Sequence, residues 1–358
     1  MIDEFDMARE RIAAWWNGEL IDRACIAFAM SERKGVYTNP NSFWPSTDME
    51  PDLEALVHWY VEAAKSKRYF GEALPTIPHL YGNRGTPMIM SAYLGGIVKL
   101  EKGTVWIDPI IEDWQNFIIR FNPNNIWWER SCKFFEIAVK AAKEVAFPCL
   151  PDYGDSLTVF SLLRGAERLL FDIIDNKEVI VAAQDKFLNI WPKYHETNLN
   201  IYQKSFPGDY SWAMWAPGRT YACQCDFSTM LSPDLFKDLV VPEIERFGTY
   251  LKYILWHLDG PDEIKHLDIL LNLSQIKAIQ WIPGVGSPSA SHWLPMLKKI
   301  QAHKKSLQVF AKNEEEVRTL LTELSPEGLY ISGGFTGNTI EEANNLLRMV
   351  EKLSVKRK

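Results

Sequence analysis

The amino-acid sequence predicts an α/β chain and, within that class, a (β/α)8 TIM barrel. Three observations carry the prediction. From about residue 147 onward, short strand-like segments alternate with longer amphipathic ones, the pattern of βαβ units around a parallel sheet. Strand-like segments over the whole chain number eight, at 24–31, 73–80, 147–150, 220–226, 252–258, 277–282, 306–311 and 328–332, and eight parallel strands close a barrel. No repeat, low-complexity tract or polar linker divides residues 1–358, so they read as one domain with a helical extension ahead of the first strand. An open doubly wound sheet is the rival, but no glycine-rich nucleotide loop follows the first strand.

The elements follow in order. Residues 3–17 carry Phe5, Ile12 and Trp16 at near-helical spacing and read as the helical extension. "ACIAFAMS" (24–31) reads as the first strand, 51–70 as a helix, and "EALPTIPHLYGN" (72–83) as extended. "GTVWIDPIIEDW" (103–114) mixes proline and tryptophan, which suits an excursion over a barrel mouth. A strongly patterned helix covers 126–145, and "FPCLPDYG" (147–154) is a short strand with a polar loop. Two helices with Asn176 between them precede the strand "YACQCDFSTM" (221–230), and Ser232 caps the next helix. Thereafter strand and helix alternate to the closing helix "TIEEANNLLRMVEKL".

Composition narrows the function. With 47% hydrophobic and 24% charged residues the chain has ample material for a core. A net charge of −7 and no basic stripe argue against a nucleic-acid surface. No run of 18 apolar residues predicts a membrane span, and no secretion signal is visible. Five scattered cysteines fit a reducing cytoplasm rather than a disulfide scaffold. Fourteen tryptophans is a high count; most should be core anchors, but Trp281 and one of Trp106 and Trp215 are expected to border a pocket.

In a barrel the catalytic face lies at the C-terminal strand ends. That rule selects Arg33, His79 with Asn83, Asp152, Cys225 with Asp226, His257 with Asp259, and Gln280 with Trp281. The stretch "LKYILWHLDGPDEIKHLDILL" (251–271) is the most pointed. Side chains alternate along a strand, so His257 and Asp259 share one face and aim into one space. Two chemistries stay open there. His257, Asp259 and Cys225 supply three donors for zinc and leave a fourth position for substrate. Alternatively, carboxylates among Asp226, Asp259, Asp152 and Asp155 act as acid and base. No G-x-S-x-G supports a serine nucleophile.

Several segments together resemble the uroporphyrinogen decarboxylase superfamily, which includes corrinoid- and coenzyme M-linked methyltransferases. They are "YFGEALPTIPHLYGN", "AYLGG", "LLRGAERLLFDIIDNKEVI", "CDFSTMLSPDLFKDLVVPEIERF" and "YILWHLDG", spread over roughly 20–350. The resemblance implies a (β/α)8 barrel. Porphyrinogen decarboxylases of the family carry an arginine-rich loop after the first strand and a late G-H-G histidine. Here "SERKG" and "ISGGFTGN" stand instead, so that reaction is not expected. The methyltransferases bind zinc through H-x-C and a later cysteine. His257 matches, Asp259 replaces the first cysteine, and the second is missing. An oxygen-rich ligand set makes any such zinc a harder Lewis acid.

The expected function is therefore methyl transfer between a small polar substrate and a corrinoid protein or related acceptor, possible with zinc. His257, Asp259 and Asp226 are the candidate catalytic residues. Arg33, His79, Asn83, Asp152, Gln280 and Trp281 are the candidate substrate contacts. A lyase or hydrolase acting on a carbohydrate-like molecule is the alternative, and a non-catalytic binding barrel is a third.

Overall fold

The computed structural model describes residues 5–32, 39–79, 88–101, 103–143 and 145–355. It is a mixed α/β fold whose strands run β1 Cys25–Ser31, β2 Lys67–Gly71, β3 Thr76–Ile77, β4 Ile97–Glu101 and β5 Thr104–Asp108. They continue as β6 Phe147–Pro148, β7 Asp209–Tyr210, β8 Trp215–Ala216 and β9 Thr220–Cys223. The last four are β10 Tyr253–Asp259, β11 Ile276–Ile282, β12 Ser306–Ala311 and β13 Leu329–Gly333.

The main sheet is ordered β2-β1-β13-β12-β11-β10-β9, parallel from β1 to β9, with β2 antiparallel on the β1 edge. β3 and β6 form a separate parallel pair. Each of the eight expected strand segments overlaps one of β1, β3, β6 and β9–β13, though β3 and β6 are only two residues long. Single backbone bonds tie the short pair's neighbourhood to the main sheet on both sides. Glu72 N–H donates to Ile26 O at 2.8 Å, and Leu150 N–H donates to Tyr210 O at 2.8 Å. Asp209, beside Tyr210, then accepts Thr220 N–H of β9 at 2.8 Å.

Two expectations need correction. The helix expected over 51–70 stops at Lys65, because Lys67–Gly71 pairs with the exposed side of β1. Gly71 ends that strand at φ +63, and a Cβ there would meet Ile26 O at 1.9 Å, so only glycine fits. The excursion at 103–114 begins as an ordered hairpin, β4 with β5. Asn176 does interrupt the long helix Ala166–Tyr202, with φ −154 and ψ 59.

Helix Asp6–Trp16 packs beneath the sheet through two indoles. Trp15 Nε1–H donates to Leu307 O at 3.3 Å, and Trp16 Nε1–H to Trp215 O at 2.9 Å. Ser306 Oγ–H returns a bond to Trp15 O. Both rings are buried, so the first helix is fastened to strand β12 near the far end of the chain. Under β1, the Glu72 carboxylate is fully buried and takes two bonds from Arg23 at 2.8 Å, one from Ile26 N–H at 2.8 Å and one from Arg11 at 3.3 Å. Among the described residues, no helix is long and apolar enough to cross a membrane.

Candidate active site

β10, β11 and β12 carry a polar residue each at the same level of the same face, and Ser332 of β13 stands two residues beyond that level. His257 lies beside Gln280, and Gln280 beside Gln308, in the strand register. His257 Nδ1 meets Gln280 Oε1 in a short contact. Gln280 Nε2–H donates to Gln308 Oε1 at 2.7 Å, and Gln308 Nε2–H donates to Ser332 Oγ at 3.2 Å. Gln280 and Gln308 are each 4% exposed, so neither amide has water to fall back on. In this orientation Gln280 accepts from the imidazole, which places the proton of the neutral ring on Nδ1. Nε2 is left with its lone pair.

The groups facing His257 come from the loops after the preceding strands. Trp212 stands edge-on to the imidazole, 5.3 Å between ring centroids, and its Nε1–H is anchored on Ala222 O at 3.2 Å. Asp226 opens the short 3-10 turn after β9 and is electrostatically coupled to both His257 and Asp259. Its tip reaches solvent, yet crowding by protein raises its pKa; His257 opposes the rise and Asp259 adds to it.

Asp152 lies in the loop after β6. Gly154, at φ +84, turns the chain so that its own N–H bonds Asp152 Oδ1 at 3.2 Å. Asp152 also accepts Tyr221 Oη–H at 2.7 Å and Gln224 Nε2–H at 3.0 Å. Burial pushes its pKa up to about 7; the Tyr221 bond pulls it down, and the Asp226 charge adds to the rise. Met88, against this loop, takes φ +48, a left-handed conformation that non-glycine residues rarely adopt.

Glu263 is 2% exposed and folds back under β10, where it accepts Asp259 N–H at 3.1 Å and Ser228 Oγ–H at 3.3 Å. Burial carries its pKa up to about 8, with Asp226 and Asp259 adding to the rise. None of Asp152, Asp226, Asp259 or Glu263 enters an ion pair among the described residues. The raised pKa values of Asp152, Asp226 and Glu263, with the His257 imidazole coupled to Asp226, make a site suited to general acid and base work.

The structure brings His257, Asp259, Asp226, Asp152 and Gln280 to one end of the strands. Other expected residues go elsewhere. Trp281 alternates with Gln280 and is fully buried on the opposite face, edge-on to Trp293 at 5.1 Å. Trp215 is buried with Nε1–H on Pro207 O at 3.0 Å, and Trp106 stands 62% exposed on the β4–β5 hairpin. The ring beside the site is Trp212, in a loop with no periodicity to reveal it. His79 is buried against helix Ile126–Ala142, its Nε2 at 2.8 Å from Ser131 Oγ, and burial lowers its pKa to about 4. Arg33 and Asn83 lie outside the described residues.

The three donors expected for zinc do not assemble. Gln224 turns toward Asp152, so Cys223 and Cys225 fall on the other face, toward the helices. There the Cys225 thiol is held protonated by burial, with Asp155, Glu243 and Glu263 adding to the effect. Among the described residues no group of three or more His, Cys, Asp or Glu could hold a metal ion.

Behind that face Asp155 and Glu243 form a buried carboxyl pair. Asp155 Oδ1 caps helix Ser156–Arg164 through Thr158 N–H at 2.9 Å, while Glu243 accepts Ser156 N–H at 2.9 Å. Burial raises both pKa values, and the Glu243 charge lifts Asp155 further.

No protein-family model matches the chain, and no curated protein does. Among solved structures, a methyltransferase from Methanosarcina mazei is similar over 97% of this chain and 99% of its own, with a TM-score of 0.60 and 11% sequence identity. At that identity the likeness is one of fold.

Proposed function

We propose that this chain is a methyltransferase-like enzyme of the uroporphyrinogen decarboxylase superfamily, built as a single closed (β/α)8 barrel. The single observation that carries the reading is the His257 constellation at the C-terminal strand ends, on a fold shared with a methyltransferase. Closure is favoured by the backbone bond from Glu72 to Ile26 of β1, by that from Leu150 to Tyr210 of β7, and by the Asp209 side chain that joins β7 to Thr220 of β9.

The substrate is a small polar molecule carrying a methylated heteroatom, and the acceptor is a corrinoid borne by a separate protein, or a related acceptor. The corrinoid would supply the nucleophile for the methyl group. The residues here supply the rest. As the carbon–heteroatom bond breaks, the leaving heteroatom takes a proton from Asp152, whose pKa of about 7 keeps a proton available near neutrality, or from Asp226, whose pKa is also raised. His257, oriented by Gln280, accepts the substrate's hydrogen bond or proton at Nε2. No step is routed through zinc, since Cys225 faces away from His257 and Asp259. A second reading, a lyase or hydrolase with Asp226 and Asp259 as acid and base, draws on the same carboxylate crowding.

The test is to incubate the protein with small methoxy compounds and free reduced cobalamin, following the cobalamin spectrum. Methylcobalamin should form, and His257→Ala should abolish it. Cleavage of a sugar panel with no methyl transfer from any donor would move the assignment to the second reading.

A further inference from the structure

We infer that the opposite end of the strands holds a second, independent binding site, for a small phosphate-bearing polyanion. A groove of about 850 Å³ runs beneath the N-terminal ends of β10, β11 and β12. Each approach to those strands contributes lysine: Lys252 just before β10, Lys277 at the second position of β11, and Lys304 with Lys305 just before β12. Ser274 and Gln275 add neutral polar groups, and no aspartate or glutamate lines the groove.

Six described lysines outside the groove each have a carboxylate partner. On the helix leading to this turn, Lys298 pairs with Glu323 at 2.7 Å and Lys299 pairs with Asp268. Lys65, Lys99, Lys177 and Lys237 also have carboxylate partners. The four groove lysines enter no ion pair among the described residues. Gathering four ammonium groups in one concavity of a chain with net charge −7 is electrostatically unfavourable unless an anion joins them.

One of the four is fixed in place. Lys305 Nζ donates to Leu273 O at 2.7 Å and to Ile276 O at 2.9 Å, leaving its third N–H for a ligand. Lys304 turns at φ +56, which sets the two adjacent lysines on a tight corner. Compact, strongly hydrated ammonium groups suit phosphate oxygens. The volume fits a small molecule, and the charge stays within one groove instead of forming the stripe a nucleic acid needs.

Isothermal titration with inorganic tripolyphosphate at low ionic strength tests this. Saturable one-to-one binding is expected, weakened about a hundredfold in Lys277→Gln/Lys304→Gln, since each of the two lost charge-assisted bonds is worth about 1.5 kcal/mol, roughly a factor of ten. Lys133→Gln/Lys193→Gln, which removes two exposed lysines outside the groove, should bind like the parent. Circular dichroism and thermal melting of both variants guard against unfolding. Non-saturable binding, or equal loss in the two variants, would overturn the site. Equal affinity for citrate would overturn the phosphate class, and tighter binding of a single-stranded oligonucleotide would overturn the small-molecule reading. None of these readouts depends on methyl transfer.

Discussion

Two crowded groups of charges sit at opposite ends of the strands and are built on opposite rules. Beneath β1, the buried Glu72 carboxylate receives four donors, three of them from arginine. At the other end, Asp226 couples to His257, Asp259, Asp152 and Glu263, and none of these four carboxyl groups enters an ion pair among the described residues. The first group is complementary within the protein and gains nothing from a visitor. In the second the pKa values of Asp152, Asp226 and Glu263 are raised, so its unfavourable energy can be relieved by protonation or by a ligand. Saturation marks structure here, and frustration marks chemistry.

The contrast is broken most directly at His257. His257→Ala is expected to lower turnover by about 10²- to 10⁴-fold, the usual worth of a general acid–base group. The melting curve should barely move, because the ring is half-exposed and outside the packed layers. A fully active variant would end the assignment.

Glu72→Ala should do the reverse. Leaving Arg23 buried without its partner is expected to cost about 3–5 kcal/mol of stability, read from urea unfolding. Activity per folded molecule should persist below the new midpoint. A loss under about 1 kcal/mol would show that the lower pair is not structural in the sense drawn here.

Gln308→Leu probes the join between the two rules, since it cuts the relay behind His257 without touching the ring. Turnover should fall about tenfold, the scale of one net buried hydrogen bond, with KM little changed. Nitrogen NMR of the imidazole should show Nδ1–H in the parent and a mixed tautomer in the variant. An Nε2–H parent would reverse the assigned direction of the relay.

The smallest effect is expected at Asp155. Its folded-state pKa is raised by burial and Glu243, so the stability tied to its protonated form is complete below the ordinary carboxylate range. That stability is lost as pH rises through the raised value. Asp155→Asn keeps the helix cap and removes the titration. It should match the parent near pH 4 and exceed it by about 1–2 kcal/mol near pH 8. A constant difference across pH would mean the pair is not linked to folding.

The sequence carried the strands well and the site only partly. Strand segments were visible because parallel strands buried on both faces read as apolar runs between helical periods. Lys67–Gly71 was hidden inside a helical pattern because pairing with β1, a tertiary event, decides its form. Alternation could have separated Cys225 from the His257 face, since Gln224 lies between the cysteines and is the residue that reaches Asp152. Glu263 reads as one more helix residue until the 3-10 turn Pro261–His266 folds it under β10. Trp212 and the Gln280–Gln308 relay depend on loop placement and strand register, which no local spacing reports.

The fastening of the first helix has a consequence in time. Trp15 is made well before the carbonyl that satisfies its indole, which belongs to Leu307, 292 positions later. Until β12 exists, the Trp15 indole lacks its acceptor, although Trp16 can already reach Trp215 O. The first helix therefore completes its docking only after β12 is made. Such long-range closure is entropically slow. A nascent chain halted before β12 should be sticky at its first helix, and a chaperone that shields the Trp15 ring would have most to do in that interval.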